Sequence, residues 1–136
     1  MTGPPEIKSA FNAIRAIDYT IILVRDSTAM RGFYENVLGF PIARELSQGW
    51  IEYRIGANTL ALAQPKRLAS DQLTPRGAAS LQLAFKAGRN DVDRCAAELT
   101  SKGVALMEPP TDQPFGHRTL FFRDPDGNLL EVYAEI

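Results

Sequence analysis

The sequence predicts an α+β domain built from two βαβββ units, and three observations carry that expectation. The order strand, helix, three strands occurs twice along the 136 residues. Each helical pattern is closed by a glycine, Gly39 and then Gly103, at equivalent places. Turns ending at Asn58 and Asn128 precede the last strand of each unit. Strand side chains alternate between two faces, so one face of each unit packs on its helix and the other is free to curve around a cavity. Together the two units make a cupped mixed β-sheet with a shared, partly apolar pocket.

The elements follow in chain order. Residues 1–16 read as an appendage, in which Pro4 and Pro5 open a short helix carrying Phe11, Ile14 and Arg15. Unit one spans 17–63. Its first strand, 17–24, is rich in β-branched residues. Asp26 or Ser27 caps a helix over 26–38, with Met30, Phe33, Val37 and Leu38 on one face. Strands over 40–44, 50–55 and 59–63 complete it, the last two joined by Gly56, Ala57 and Asn58. A connector over 64–78 is marked by Pro65, Ser70, Asp71, Pro75 and Gly77. Unit two spans 79–135. A strand over 80–85 leads to a helix over 91–102, capped by Asn90 and carrying Val92, Cys95, Ala96 and Leu99. Strands over 104–107, 119–123 and 129–133 close the set, with Asp124-Pro125-Asp126-Gly127-Asn128 as a strong turn.

Composition narrows the function. Hydrophobic residues make up 45% and charged residues 23%, ordinary values for a globular domain. Fifteen basic residues face sixteen acidic ones, which gives no electrostatic reason to expect nucleic acid or an anionic membrane as partner. No signal peptide is expected from Met1 to Lys8, and no window approaches the ~18 apolar residues of a membrane-spanning helix. Cys95 is the single cysteine, so no intrachain disulfide forms, which fits a cytoplasmic setting. Its place on the apolar face of a helix makes it a small hydrophobe rather than a nucleophile.

Two segments carry a resemblance. Phe33-Tyr34-Glu35-Asn36-Val37-Leu38-Gly39-Phe40 and the run from Phe122 to Tyr133 resemble the hallmark segments of the vicinal oxygen chelate superfamily. That superfamily includes glyoxalase I, fosfomycin-resistance transferases, bleomycin-resistance proteins and extradiol dioxygenases. The resemblance covers about residues 17 to 135 and implies the fold; the function stays open, because the superfamily hosts isomerases, transferases, dioxygenases and proteins that only bind.

The resemblance also implies four cavity-facing positions where metal-dependent members place ligands: Tyr19, Ala61, Gln82 and Glu131. Glu131 is a good ligand and Gln82 a weak neutral one. Ala61 offers nothing, and a phenol, the group at position 19, is a poor ligand at neutral pH. The expectation is therefore no bound metal and no other cofactor, with Glu131 and Gln82 as the ligands if a divalent ion binds after all. Glu131 is then expected as a buried acid hydrogen-bonded to Tyr19 or Gln82.

His117, the only histidine, follows Phe115-Gly116 on a loop placed to overhang the pocket. Arg118 alternates with it, so the two face opposite ways. Glu131, Tyr19 and His117 are the candidate acid/base groups. Gln82, Trp50, Tyr53, Phe115, Arg118, Phe121 and Tyr133 are the candidate ligand-binding residues, each with core packing or solvent exposure as the simpler role. The reading that results is a metal-free protein binding a small organic molecule, assembled as a homodimer because short strands in curved sheets leave edges that one chain hardly covers. Two alternatives remain: a divalent-metal-dependent lyase, isomerase or dioxygenase using Glu131, and a non-catalytic structural or interaction module.

Overall fold

The computed structural model describes residues 9–66 and 71–136. Pro4, Pro5 and the connector residue Ser70 lie outside the described residues. Unit one contains β1 (Tyr19–Leu23), α1 (Ser27–Gly32), β2 (Ile42–Ser47), β3 (Trp50–Ile55) and β4 (Asn58–Ala63). Unit two contains β5 (Gln82–Lys86), α2 (Asp91–Ser101), β6 (Leu106–Asp112), β7 (His117–Arg123) and β8 (Leu129–Glu135). The strands form two four-stranded mixed sheets in the orders β1-β4-β3-β2 and β5-β8-β7-β6. In each, the first and last strands of the unit are parallel neighbours and the remaining pairs are antiparallel. The duplicated order read from the sequence is thus a duplicated topology.

Several boundaries differ from expectation, each for a local reason. The helix expected over 26–38 is α-helical only to Gly32 and continues as a π-helical turn over Phe33–Val37, closed by the Leu38 N–H on the Phe33 carbonyl at 2.9 Å. The wider turn sets two consecutive aromatics, Phe33 and Tyr34, into the core. Strand β6 runs through Pro109 and Pro110. It lies at the sheet edge, where a missing N–H breaks no ladder, and its register slips between Glu108 and Thr111. Asp26 caps α1 through the Ala29 N–H at 2.9 Å, whereas Asn90 precedes α2 without a side-chain cap bond. Among the described residues of the appendage there is one exposed 3-10 turn, Ala10–Ala13.

One hydrophobic cluster joins both units. The inner sheet faces supply Ile22, Leu60 and Tyr53 on one side and Leu120, Phe122 and Leu130 on the other. Met30, Phe33, Tyr34, Val92 and Leu99 fill the space from the helices. The turn at 124–128 is much more than a reversal of direction. Asp124, Asp126 and Asn128 are all buried. Asp124 accepts bonds from the backbone N–H groups of Asp126, Gly127 and Asn128 and from the Asn128 side chain. Tyr34 of unit one donates to it at 2.8 Å. The Asp126 carboxylate accepts the backbone N–H groups of Arg25 and Asp26, in the loop after β1. The Arg25 guanidinium binds the Asn128 side chain and the carbonyls of Thr74, Pro75 and Ala78 in the connector. This polar knot fixes the two units relative to each other through groups that buried placement obliges to pair.

Candidate functional site

The register of the sheets decides which side chains share the faces turned away from the helices. In the first sheet, Ala61 on β4 lies between Ile21 on β1 and Glu52 on β3, and Glu52 lies beside Arg44 on β2. Tyr19 and Trp50 share this open face at opposite ends of the Thr59–Ala61–Ala63 row. In the second sheet, Glu131 lies between Ala84 on β5 and Phe121 on β7. Gln82, Thr119 and Tyr133 share that open face.

Strands β1 and β5 each end a sheet, and a groove of about 510 Å³ lies between them. It is lined by residues 17–20, 55–60 and 83–86. Ile17, Tyr19, Leu60, Leu83 and Phe85 make it largely apolar, while Asp18 and Lys86 supply charge. A concave site of this size, mostly apolar with a few polar groups, is the ordinary form of a small-molecule pocket. The sequence placed Tyr19 at such a cavity and did not single out Asp18, Leu83 or Lys86. Nothing in residue type marks those three, because a seam between sheet edges exists only after folding.

Tyr19, Gln82 and Glu131 were expected to meet in one cavity and bond to one another. The groove takes in Tyr19 but neither Gln82 nor Glu131. Among the described residues, none of the three makes a side-chain hydrogen bond to another protein group. Glu131 is half-buried beside Ala84 and Phe121. Among the described residues, no three His, Cys, Asp or Glu side chains gather closely enough to share one metal ion.

Two further expectations are corrected by face. Tyr53 is fully buried on the helix side of its sheet, with its hydroxyl donating to Glu35 at 2.7 Å. It alternates with Trp50 and Glu52 out of the open face, so it serves the core and not a ligand. Arg118 alternates with His117 and turns toward α2, paired with Asp93 at 2.9 Å and Asp112 at 2.8 Å. His117 is stacked on Tyr133, with ring centroids 4.5 Å apart, and meets exposed Phe115 edge-on at 5.2 Å. Cys95 packs against the core; burial first, then Glu98 and Asp91, push its thiol pKa up.

Glu52, on the open face beside the groove and outside its lining, was not singled out from the sequence. Its Oε2 accepts the Trp50 indole N–H at 2.7 Å and Arg44 Nη2 at 3.1 Å. The Trp50 donor, with help from Arg44 and against partial desolvation, holds the Glu52 carboxyl below the usual carboxylate range. The spacing of Trp50 and Glu52, two apart in a strand, was the available signal that they share a face.

Comparison with known proteins fits this geometry. The family model described as Glyoxalase/Bleomycin resistance protein/Dioxygenase superfamily matches residues 16–132. The chain belongs to that superfamily. It is 30% identical over 125 residues to a virulence protein of Salmonella typhimurium, STM3117, covering 88% of this chain and 83% of that one. It is 29% identical over 120 residues to the uncharacterized Bacillus subtilis protein YraH, covering 82% and 92%. A crystal structure of a glyoxalase/bleomycin resistance protein/dioxygenase from Nocardioides superposes with a TM-score of 0.79 at 19% identity, over 91% of this chain and 85% of that one. A lactoylglutathione lyase from Agrobacterium tumefaciens gives 0.71 at 22% identity, over 88% and 92%. These two structural likenesses show the fold alone. Among the described residues, no helix is long and apolar enough to cross a membrane.

Proposed function

We propose that this chain binds a small, partly apolar organic molecule in the groove between β1 and β5, and does so without a resident metal. The observation that carries the reading is the groove itself: about 510 Å³ between two sheet edges, walled by Tyr19, Leu60, Leu83 and Phe85. Superfamily membership supports it, since members of this fold often hold small molecules. The donor set does not suit a divalent ion. One carboxylate, one amide and one phenol leave an ion mostly water-bound, and position 61 carries only a methyl group.

The same proposal includes a homodimer in the cytoplasm. Ile21 on the open face and Phe115 on its loop are exposed by 40% and 70%. Apolar side chains left outside in this way favour a second copy as cover. Light scattering at micromolar concentration is expected to give a dimer mass, and a monomer would overturn that part.

Trp50 is the only tryptophan and stands beside Tyr19, so its fluorescence reports on the groove. Titration with anilinonaphthalene sulfonate is expected to change Trp50 emission and saturate. Tyr19→Ala should weaken that binding about tenfold, whereas Phe115→Ala should leave it unchanged. Absence of saturable binding, or equal binding by the Tyr19 variant, would overturn the reading. So would stoichiometric zinc, nickel, manganese or iron retained through dialysis.

A further inference from the structure

We infer that Arg44, Glu52 and Trp50 form a brace that sets the orientation of Tyr19, and that the groove therefore favours ligands carrying a flat ring laid against Tyr19. This rests on the reading of the groove as a binding site and adds its selectivity. The brace is a chain of contacts running inward from the sheet edge. Arg44 on edge strand β2 donates through Nε and Nη2 to Glu52 Oε2, at 3.3 and 3.1 Å. Trp50 Nε1 donates to the same oxygen at 2.7 Å, which fixes the turn of the indole about its long axis. The indole then meets the Tyr19 ring edge-to-face, with centroids 6.0 Å apart and planes at 89°.

The floor beneath this pair explains why the rings can meet. Trp50 and Tyr19 lie at opposite ends of a diagonal whose midpoint on β4 is Ala61. Ala61 is on the open face and yet 0% exposed, as expected for a methyl group covered by side chains leaning over it. A longer side chain at 61 would hold the rings apart. Tyr19 lines the groove and Trp50 does not, so Trp50 supports the wall from behind.

The physical consequence is preorganisation. A tyrosine this exposed, at the first residue of an edge strand, ordinarily keeps its rotamer freedom and surrenders it on binding. One already fixed against an oriented indole presents its ring without that cost. Flat rings profit most, because offset stacking and edge contacts depend on orientation, whereas flexible alkyl chains adapt to either state. Trp50, Glu52 and Arg44 are thus positioning residues.

The test compares Glu52→Leu, Glu52→Gln and Arg44→Met with the parent protein, using a readout that needs no ligand. Acrylamide quenching of Trp50 should rise about twofold in Glu52→Leu as the indole loosens, and its emission maximum should shift red. Glu52→Gln keeps an acceptor oxygen and should restore most of the parent quenching. Arg44→Met should fall between them. Anilinonaphthalene sulfonate should bind Glu52→Leu about fivefold more weakly, while decanoate, which has no ring, should bind all four proteins alike. Unchanged quenching in Glu52→Leu overturns the brace. Equal loss of probe and decanoate overturns the selectivity for rings. A parent protein that ignores both compounds overturns the groove reading and the ligand class with it, and the quenching comparison then decides the brace alone. Should Glu52→Leu fail to fold, Arg44→Met supplies the same comparison with a smaller expected change.

Discussion

Removing one oxygen atom from Tyr34 tests how the two units are held together. Tyr34 is fully buried, and its hydroxyl donates at 2.8 Å to Asp124, ninety residues further along the chain. Burial first, then the Asp124 carboxylate, raises the phenol pKa well above 10, so the group stays a donor at every ordinary pH. Tyr34→Phe keeps the ring, which stacks on Tyr53 with centroids 6.1 Å apart and meets Phe33 at 5.5 Å. It leaves Asp124 Oδ2 with the Asn128 amide as its one remaining side-chain donor. A hydrogen bond to a charged acceptor contributes roughly 1.5–3 kcal/mol, and no cavity larger than one oxygen is created to add to it. For a chain of 136 residues that loss lowers Tm by about 5–10 °C. Urea unfolding followed by far-ultraviolet circular dichroism should show the midpoint reduced by about 1 M with the slope unchanged. A variant within ~0.5 kcal/mol of the parent would refute the claim that this bond couples the units.

Three further outcomes follow from named groups. Gly127 has φ +100° and a Cβ placed there would lie 2.4 Å from the Gly77 backbone, so Gly127→Ala should cost about 2 kcal/mol or more; chemical denaturation showing no loss would contradict this. Cys95, its pKa raised chiefly by partial burial, should react with iodoacetamide at about pH 8 more slowly than free glutathione does, and an equal or faster rate would count against its half-buried placement. Arg31 first, and the Tyr53 hydroxyl after it, lower the Glu35 pKa against some desolvation. Its contribution is therefore present above the unfolded value of 4.5 and lost as pH falls through the lower folded one. Glu35→Gln should accordingly lose less stability than the parent below that pH; identical acid profiles would show that the pairing has no effect on folding.

What the sequence determined by itself was local and repeated. Alternation, helical spacing and paired glycine stops need only neighbouring residues, so the eight strands, both helices and the duplicated order were legible, as were the two hallmark segments. The expected positions of Tyr19 and Gln82 at matching places were also legible, since each opens the first strand of its unit. Residue type alone could not tell which aromatic faces a ligand. Tyr53 and Trp50 sit in one strand, yet an offset of three residues sends Tyr53 to the core and Trp50 to the open face. Arg118 was assigned to a ligand for want of knowing that α2 would bring Asp93 to it.

Only the tertiary structure decided the rest. The turn at 124–128 reads as a reversal of direction, but its two carboxylates become a buried knot once unit one delivers Tyr34 and the Arg25 loop. The groove belongs to no single element: it is the space between two sheet edges, set by how the units pack across one shared core. Glu52 gains its role from Arg44 one strand away and from Trp50 two residues before it. The physical reason is common to all three. A residue's intrinsic preferences act over a few neighbours, whereas desolvation, charge pairing and cavity shape are properties of what the rest of the chain places around it.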